Sequence, residues 1–303
     1  MNDKHTEQAK PIMLNQNAFK AFLLVAAGLF LFACMDSTTK YLTAHFNVPF
    51  VVAMRYVTQC LLMVVVLAPR YSGRLVKTQR TGLVIVRALS LSVASLFVGL
   101  ALQRMPLAET TAINFLAPML VVLLSPLLGE RLSLTGWAAV VMGFVGVLFI
   151  VRPGGGLDIA GVIFCLIAVI ANAVYQLLSR VLASTEKAVT LLFYTALVGS
   201  ICFGISMPWF WENKIPSALE LCLFLAMGLF GGLGHYLFTS AYSHAPASLL
   251  APILYLQLLW AGLLGWLIFG TIPDALSVLG MLIIAASGLM IALKSRSKKI
   301  AGE

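Results

Sequence analysis

The sequence contains very little charge. Of its 303 residues, 10% are Asp, Glu, Lys or Arg, and 61% are hydrophobic. A soluble domain carries about 25% charged residues, so this chain lacks the polar residues needed to cover a globular core. It is therefore expected to be an all-α membrane protein with lipids against most of its outer surface.

Several signatures of chemistry are also missing. No Gly-Lys-Ser/Thr follows the glycines at 154–156, which excludes a phosphate loop for ATP. The five cysteines fall in apolar segments without metal-ligand spacing, so free thiols are expected, with no metal and no other cofactor. No paired carboxylates or Ser-His-Asp set indicates an enzyme. The net charge of +9 resides in short loops and tails, which favours anionic lipid over nucleic acid.

What is present is a series of long apolar runs. A membrane helix needs roughly 20 apolar residues, and ten segments qualify. The first runs into polar residues without a cleavage site, so it is expected to be a retained span and not a signal peptide. The ten predicted spans are 19–41, 50–68, 82–103, 107–128, 133–151, 157–180, 188–208, 217–241, 247–269 and 273–293.

The distribution of Lys and Arg predicts the orientation of these spans. With the N-terminus inside, fourteen of them lie on that side and four on the other. The four on the other side are Lys40, Arg104, Arg152 and Lys214. Because basic residues concentrate in cytoplasmic loops, both termini are predicted to be cytoplasmic.

The chain also repeats itself. The segment ALQRMPLA at 101–108 returns about 140 residues later as AYSHAPAS at 241–248. Five spans per half reverse the second half in the membrane, which predicts an inverted repeat with a substrate site near the midplane. The expected organisation is an N-terminal tail at 1–17, repeats at 18–152 and 153–293 joined at the glycines 154–156, and a basic tail at 294–303.

Several short motifs, in this order and spacing, carry a resemblance to a known family. The first half reads ALQRMPLA at 101–108, AP at 117–118, LGER at 128–131, GW at 136–137 and GFVGV at 143–147; the second reads APILY at 251–255, LIFG at 267–270, PD at 273–274 and Gly280. The chain resembles the EamA-type transporters of the drug/metabolite transporter superfamily. Within them it is most similar to the ten-span amino-acid and metabolite exporters of the YddG type.

The resemblance implies export of amino acids or related metabolites through a bacterial inner membrane, by secondary active or facilitative alternating access. Uptake of S-adenosylmethionine or a nucleotide-related solute, and drug efflux, are alternatives that it also implies. Apart from the resemblance, a membrane enzyme or lipid-handling protein is a second functional class, and a channel is a third. The substrate is a small molecule, protons are a candidate co-substrate, and a monomer is compatible with ten spans. One departure is Thr271, where the family usually has an acid; Asp274 is a candidate substitute, and Glu130 retains the acid of the first half.

Charged residues within the spans are candidates for coupling or gating because charge in lipid is costly. Asp36 and Arg55 are expected to form either a fixed ion pair or a pair that opens on binding. Glu109 either stabilises a helix N-terminus or takes up a proton. Arg87 is expected to reach the membrane surface or to meet Glu130.

Aromatic, amide and hydroxyl side chains within the spans are candidates for substrate binding. His235 follows a glycine-rich stretch in which Gly228 and Gly232 indicate either close helix packing or a hinge. It is a cavity residue or a proton carrier, and Trp260, mid-span, fits a cavity or a packed core equally well. The substrate-binding candidates are Tyr56, Gln59, Ser90, Ser95, Asn114, Tyr175, Gln176, His235, Tyr236, Tyr255, Gln257 and Trp260.

Overall fold

The chain folds into helices that follow the apolar runs of the sequence. A computed structural model describes residues 10–71, 76–124, 126, 134–152, 156–212, 214–245 and 247–300, and contains no strand within those ranges. Short 3₁₀ helices lie at Met207–Phe210 and Ala251–Tyr255. The α-helices are α1 (Lys10–Thr43), α2 (Val48–Tyr71), α3 (Thr81–Arg104), α4 (Leu107–Asn114), α5 (Leu116–Leu124), α6 (Leu134–Val151), α7 (Ile159–Leu182), α8 (Ala188–Ser206), α9 (Ala218–Ala241), α10 (Ala247–Leu250), α11 (Leu256–Phe269) and α12 (Ala275–Ile300).

Eight helical segments within the described ranges are long and apolar enough to cross a membrane, with α4 and α5 taken together as Leu107–Leu124. Two shorter apolar segments cover Ile253–Phe269 and the apolar part of α12, Ala275–Met290. Large apolar side chains project outward along these helices, as at Val65 and Leu148, which are 71% and 68% exposed. The outer surface is therefore suited to lipid. Helix α1 extends into the predicted N-terminal tail, and α12 extends into the predicted C-terminal tail as far as Ile300.

Local sequence explains where several helices begin and end. The Asp158 carboxylate accepts a 2.7 Å hydrogen bond from the Gly161 N–H at the start of α7. Ser217 and Glu220 form a reciprocal capping box at the start of α9. Helix α11 ends at Gly270, whose φ of 64° lies in the left-handed region that glycine adopts without strain.

The helices of the two halves interleave in a symmetrical way. Helix α1 packs along α9 and α3 along α7, while α2 packs against α8 and α6 against α12. Exchanging each helix for its counterpart in the other half converts the first contact into the second and leaves the last two unchanged. The helices of the two halves therefore pack between one another, and the halves do not form separate bundles.

Glycines bring the paired helices into close contact. A Cβ added to Gly280 on α12 would lie 2.5 Å from the Gly146 carbonyl oxygen on α6. On α9, a Cβ at Gly228 would lie 2.7 Å from the Gln59 backbone nitrogen, whereas one at Gly232 would lie 3.9 Å from the nearest atom. Gly228 therefore serves close packing against α2, and the face that continues from it runs through Gly231, not Gly232.

The connections between helices meet in two groups. The α2–α3 connection contacts the α7–α8 connection, where the Glu186 carboxylate accepts hydrogen bonds of 2.8 Å from the hydroxyl of Thr78 and from the N–H groups of Gln79 and Arg80. Elsewhere, Lys214 in the α8–α9 connection donates to the His45 carbonyl between α1 and α2. Each group thus joins a connection of the first half to one of the second.

Candidate functional site

A cavity of about 320 Å³ lies between the two halves. Its wall combines aromatic, hydroxyl and amide side chains with one acid and one arginine. The lining residues are Leu29, Phe32, Met35, Asp36, Thr39, Val51, Val52, Arg55, Leu91, Ala94, Ser95, Val98, Leu102, Thr110, Thr111, Asn114, Phe115, Pro118, Asn172, Tyr175, Gln176, His235, Phe238, Leu254 and Gln257. Such a mixture of an apolar wall and a few polar groups is typical of small-molecule sites.

Two interrupted helices border this cavity, one from each half. The predicted fourth span is broken at Phe115 into α4 and α5, and the predicted ninth span passes through a 3₁₀ turn at Ala251–Tyr255. An Ala-Pro pair accompanies each break, and proline lacks the N–H that would continue the helical hydrogen bonds. Interrupted helices at corresponding positions of two halves are typical of transporter substrate sites.

The structure brings eight of the sequence-predicted residues together in the cavity wall. They come from α1, α2, α3, α4, α7, α9 and α11, which the sequence places far apart. The eight are Asp36, Arg55, Ser95, Asn114, Tyr175, Gln176, His235 and Gln257.

Six of the substrate-binding candidates do not line the cavity. Tyr236 is 60% exposed on the outer surface because it follows His235 by one residue, which is a rotation of about 100° on a helix. The same rotation separates Tyr56 from Arg55 and Ser90 from Leu91. The six are Tyr56, Gln59, Ser90, Tyr236, Tyr255 and Trp260.

Some of these six support the wall from behind. The hydroxyl of Tyr56, a residue only 1% exposed, lies 2.9 Å from the Ser95 hydroxyl. The Tyr255 ring stacks on Phe115 with ring centroids 5.0 Å apart. Trp260 packs edge-on against Phe30 at 5.1 Å, and its buried Nε1 is without a hydrogen-bond partner in the described part of the chain.

Asp36 and Arg55 line the same cavity but are not joined by an ion pair or hydrogen bond in the described ranges. Arg55 instead lies over the Tyr56 ring, with Cζ 4.4 Å from the centroid, and its Nη1 is 3.6 Å from the Met35 sulfur. The fixed ion pair that was one of two expectations is therefore not formed in this conformation.

Arg87 is 4% exposed and does not reach the membrane surface. Its guanidinium donates hydrogen bonds to the Ser179 hydroxyl (2.7 Å), the Leu191 carbonyl (3.1 Å), the Thr195 hydroxyl (3.0 Å) and the Tyr175 hydroxyl (2.9 Å). The expectation of a surface-reaching side chain is wrong because α7 and α8 supply enough acceptors to hold the charge inside. Its other expected partner, Glu130, lies outside the described residues.

Glu109 also lies outside the cavity lining. It is 5% exposed at the start of α4, and its Oε2 atom is without a hydrogen-bond partner in the described part of the chain. The Lys40 ammonium group lies close enough to interact electrostatically with the Glu109 carboxylate. Lys40 itself donates 2.7 Å hydrogen bonds to the carbonyls of Leu102 and Met105, and so stabilises the C-terminus of α3.

The position where the resemblance implies an acid is Thr271, which ends a helix. The Thr271 hydroxyl and N–H both donate to the Gly265 carbonyl, each at 3.1 Å, and so complete the end of α11. Asp274 accepts from the Ser277 N–H at 2.8 Å and from Arg152 at 2.6 Å. The hydrogen bond from the Ser277 N–H, followed by that from Arg152, lowers the Asp274 pKa to about 2. Asp274 therefore links α12 to α6 instead of standing free.

Sequence reasoning did not select several wall residues, although helical periodicity contained the signal. Phe32 and Thr39 precede and follow Asp36 by four and three residues, which places them on one face of α1. Leu91, Val98 and Leu102 relate to Ser95 in the same way on α3. Extending the period from each polar candidate would have found these residues without a structure.

Sequence comparison adds a family to this geometry. The model of the EamA-like transporter family matches residues 19–152 and, a second time, residues 159–293. The chain belongs to the EamA-like transporter family. The resemblance seen in the short motifs is thereby confirmed, and the chain is a multi-pass membrane transporter with a small-molecule substrate.

Relatives with assigned names agree with this membership. An uncharacterized transporter of Helicobacter pylori is 28% identical over 95% of this chain and 99% of its own length. The pseudopaline exporter of Pseudomonas aeruginosa is 28% identical over 91% and 96% of the two chains. The S-adenosylmethionine uptake transporter of Rickettsia bellii is 27% identical over 76% and 80%. These relatives include both an exporter and an uptake protein.

A solved crystal structure has the same fold. It superposes with a TM-score of 0.62 at 19% identity and covers 94% of this chain and 98% of its own. Identity at this level relates the folds alone.

Proposed function

We propose that this transporter exports small metabolites, in particular amino acids with aromatic or other neutral side chains, across a bacterial inner membrane. The observation that carries the proposal is the cavity between the halves, which is bordered by an interrupted helix from each. Its aromatic residues suit a neutral side chain, and its amides and hydroxyls suit the polar end of an amino acid.

Alternating access between two inverted five-helix repeats, at 18–152 and 153–293, is the proposed mechanism. Two matches of one family model and the exchange symmetry of the helix contacts support it. Rocking one half against the other would open the cavity to each side in turn. We further propose ten spans, with the interrupted α4–α5 and α10–α11 segments each crossing once and with both termini cytoplasmic. The grouping of connections into two sets agrees with this topology.

Counterflow in proteoliposomes tests the function. Vesicles that contain purified protein would be loaded with one unlabelled solute at a time, and uptake of the labelled solute would be followed with and without a pH gradient. Transient accumulation for neutral amino acids, above protein-free vesicles, is the expected result. If folded protein exchanges no amino acid, the proposed substrate class is wrong.

The same assay separates coupling from facilitated diffusion. Asp36 and Glu109 are the acids to test in the described spans, one in the cavity and one buried beside α4. If Asp36→Asn and Glu109→Gln both preserve a response to the pH gradient, neither carboxyl carries the coupled proton. S-adenosylmethionine belongs in the solute panel because a relative is named for its uptake.

A further inference from the structure

Two residues of opposite charge line the cavity without direct contact between them. Asp36 lies on α1 and Arg55 on α2, and in the described part of the chain no hydrogen bond or ion pair joins them. In the described ranges, Arg55 contacts the Met35 sulfur and the Tyr56 ring face, neither of which is anionic. An ionised group within a membrane protein needs a partner, so a solute that binds in the cavity should supply a group of opposite charge to each residue.

The surroundings of Arg55 differ from those of Arg87, which is buried. Arg87 has its donors directed at four oxygen atoms of α7 and α8, so protein groups already satisfy it. Arg55 has no comparable set of oxygen acceptors in the described ranges. Its guanidinium is therefore free to bind a planar carboxylate through two parallel hydrogen bonds, which is the geometry that arginine favours.

The rest of the cavity wall, together with the cavity volume, indicates the kind of solute that fits. Four amide residues and three phenylalanines line the cavity: Asn114, Asn172, Gln176 and Gln257, with Phe32, Phe115 and Phe238. Its volume of about 320 Å³ is at the small end of ligand sites, which suits one compact molecule.

We propose that Asp36 and Arg55 act as a divided charge pair that determines specificity, with Asp36 binding the ammonium group and Arg55 the carboxylate of one zwitterionic solute. The side group of that solute is uncharged and packs among the phenyl rings. A solute with only one of these charges leaves the opposite protein charge unpaired in a poorly solvated site, and is rejected for that reason. This inference rests on the proposed transport function and specifies its recognition chemistry.

Four solutes that share a phenyl ring test the proposal on the wild-type protein alone. They are L-phenylalanine, its methyl ester without the carboxylate, 3-phenylpropionate without the ammonium, and the neutral amide of that acid. Competition against counterflow is expected from the zwitterion, with at least tenfold weaker competition from the other three.

Two substitutions then assign the charges. Asp36→Asn is expected to weaken competition by phenylalanine at least tenfold and to abolish the preference for phenylalanine over 3-phenylpropionate. Arg55→Gln is expected to weaken competition by phenylalanine to a similar extent and to abolish the preference for phenylalanine over its methyl ester. Matched controls are Asp158→Asn and Lys214→Gln, which remove exposed charges of the same sign outside the cavity and are expected to preserve all four competition constants.

The outcomes separate this inference from the proposed function. If the protein exchanges solutes but does not distinguish the four probes, or if its exchanged solutes are not zwitterions, the divided charge pair is wrong and transport stands. Equal effects of both variants on every probe would indicate an ion pair formed in another conformation and would also overturn it. If no solute of any charge class is exchanged, the transport assignment itself fails. The wild-type probe series remains decisive even where a variant does not fold.

Discussion

The guanidinium of Arg87 lies over the ring of Tyr175, with Cζ 4.4 Å from the ring centroid, and donates a 2.9 Å hydrogen bond to its hydroxyl. Arg87 belongs to α3 of the first half, whereas Tyr175 is a cavity-wall residue on α7 of the second. The contact therefore connects the two halves directly behind the candidate site. Arg87 acts on the cavity through Tyr175, as a positioning residue.

Replacing Arg87 with Lys is expected to lower the free energy of unfolding by about 1–3 kcal/mol and to weaken substrate competition. A lysine ammonium cannot reproduce the planar fork that reaches α7 and α8 together. Thermal unfolding in detergent and counterflow competition would measure the two effects. Arg152→Lys is the matched control, since its partner Asp274 is half exposed and a surface pair contributes about 1 kcal/mol or less. Equal losses of substrate competition in the Arg87 and Arg152 variants would contradict a positioning role for Arg87.

Replacing Gly280 with Ala is expected to destabilise the α6–α12 contact by about 1–3 kcal/mol. The added Cβ would lie 2.5 Å from the Gly146 carbonyl oxygen and 2.8 Å from Ile150 Cγ1, so the backbones must separate. Gly262→Ala on α11 is the control because its added Cβ would have no atom within 4 Å. The midpoint of thermal unfolding should fall for the first variant only; an unchanged midpoint would show that the two helices separate at little cost.

Replacing Glu186 with Gln is expected to destabilise the protein at neutral pH by about 1 kcal/mol, because hydrogen bonds to a charged group contribute more than hydrogen bonds to a neutral amide. Burial tends to raise the Glu186 pKa, but the hydrogen bonds from Thr78, Arg80 and Gln79 outweigh it and hold this pKa below its ordinary value of 4.5. Because the folded-state pKa is lowered, the carboxylate stabilises the fold above pH 4.5 and loses that effect as pH falls through the folded-state pKa.

Unfolding midpoints at pH 7 and at progressively lower pH, with Glu212→Gln as an exposed control, would check this dependence. The gap between wild type and Glu186→Gln should close on acidification. A gap that is constant across the range would assign the effect to packing instead of charge.

Replacing Trp260 with Phe is expected to leave both stability and transport close to wild type. The indole Nε1 is buried without a partner in the described part of the chain, so removing that N–H relieves a cost of about 1–3 kcal/mol and offsets the lost ring area. Trp260→Ala, by contrast, should also lose the edge-on contact with Phe30, which contributes about 0.5–1.5 kcal/mol beyond its buried area. A large loss of transport with unchanged stability in the Phe variant would instead return Trp260 to the substrate path.

Single cysteines at Lys187 and Lys214 are expected to react from opposite sides of the membrane. Both variants are made in a background whose five cysteines are replaced by alanine. The thiol of Lys214→Cys should react with an impermeant thiol reagent in whole cells, and that of Lys187→Cys only after permeabilisation. Both positions are exposed and lie in connections of the two different groups. Labelling of both from one side would overturn the proposed orientation.

The sequence alone determined the features that depend on composition and order along the chain. Apolar run length predicted every long helix, because a lipid-facing surface requires an unbroken apolar segment of that size. Short motifs such as those at 101–108 and 251–255 carried the resemblance to the family, and the match to the family model confirms it. Asp36, Asn114 and His235 were recognisable as candidates because a polar group in an apolar span needs a reason.

Only the tertiary structure decided which faces of those helices meet. Tyr236 and His235 are neighbours in sequence, yet one is exposed on the outer surface and the other lines the cavity, because the rotation of each helix is determined by its packing partners. The separation of Asp36 from Arg55 and the enclosure of Arg87 by α7 and α8 likewise depend on contacts between distant segments. Composition makes such charges costly, but the geometry of neighbouring helices decides whether protein or ligand satisfies them.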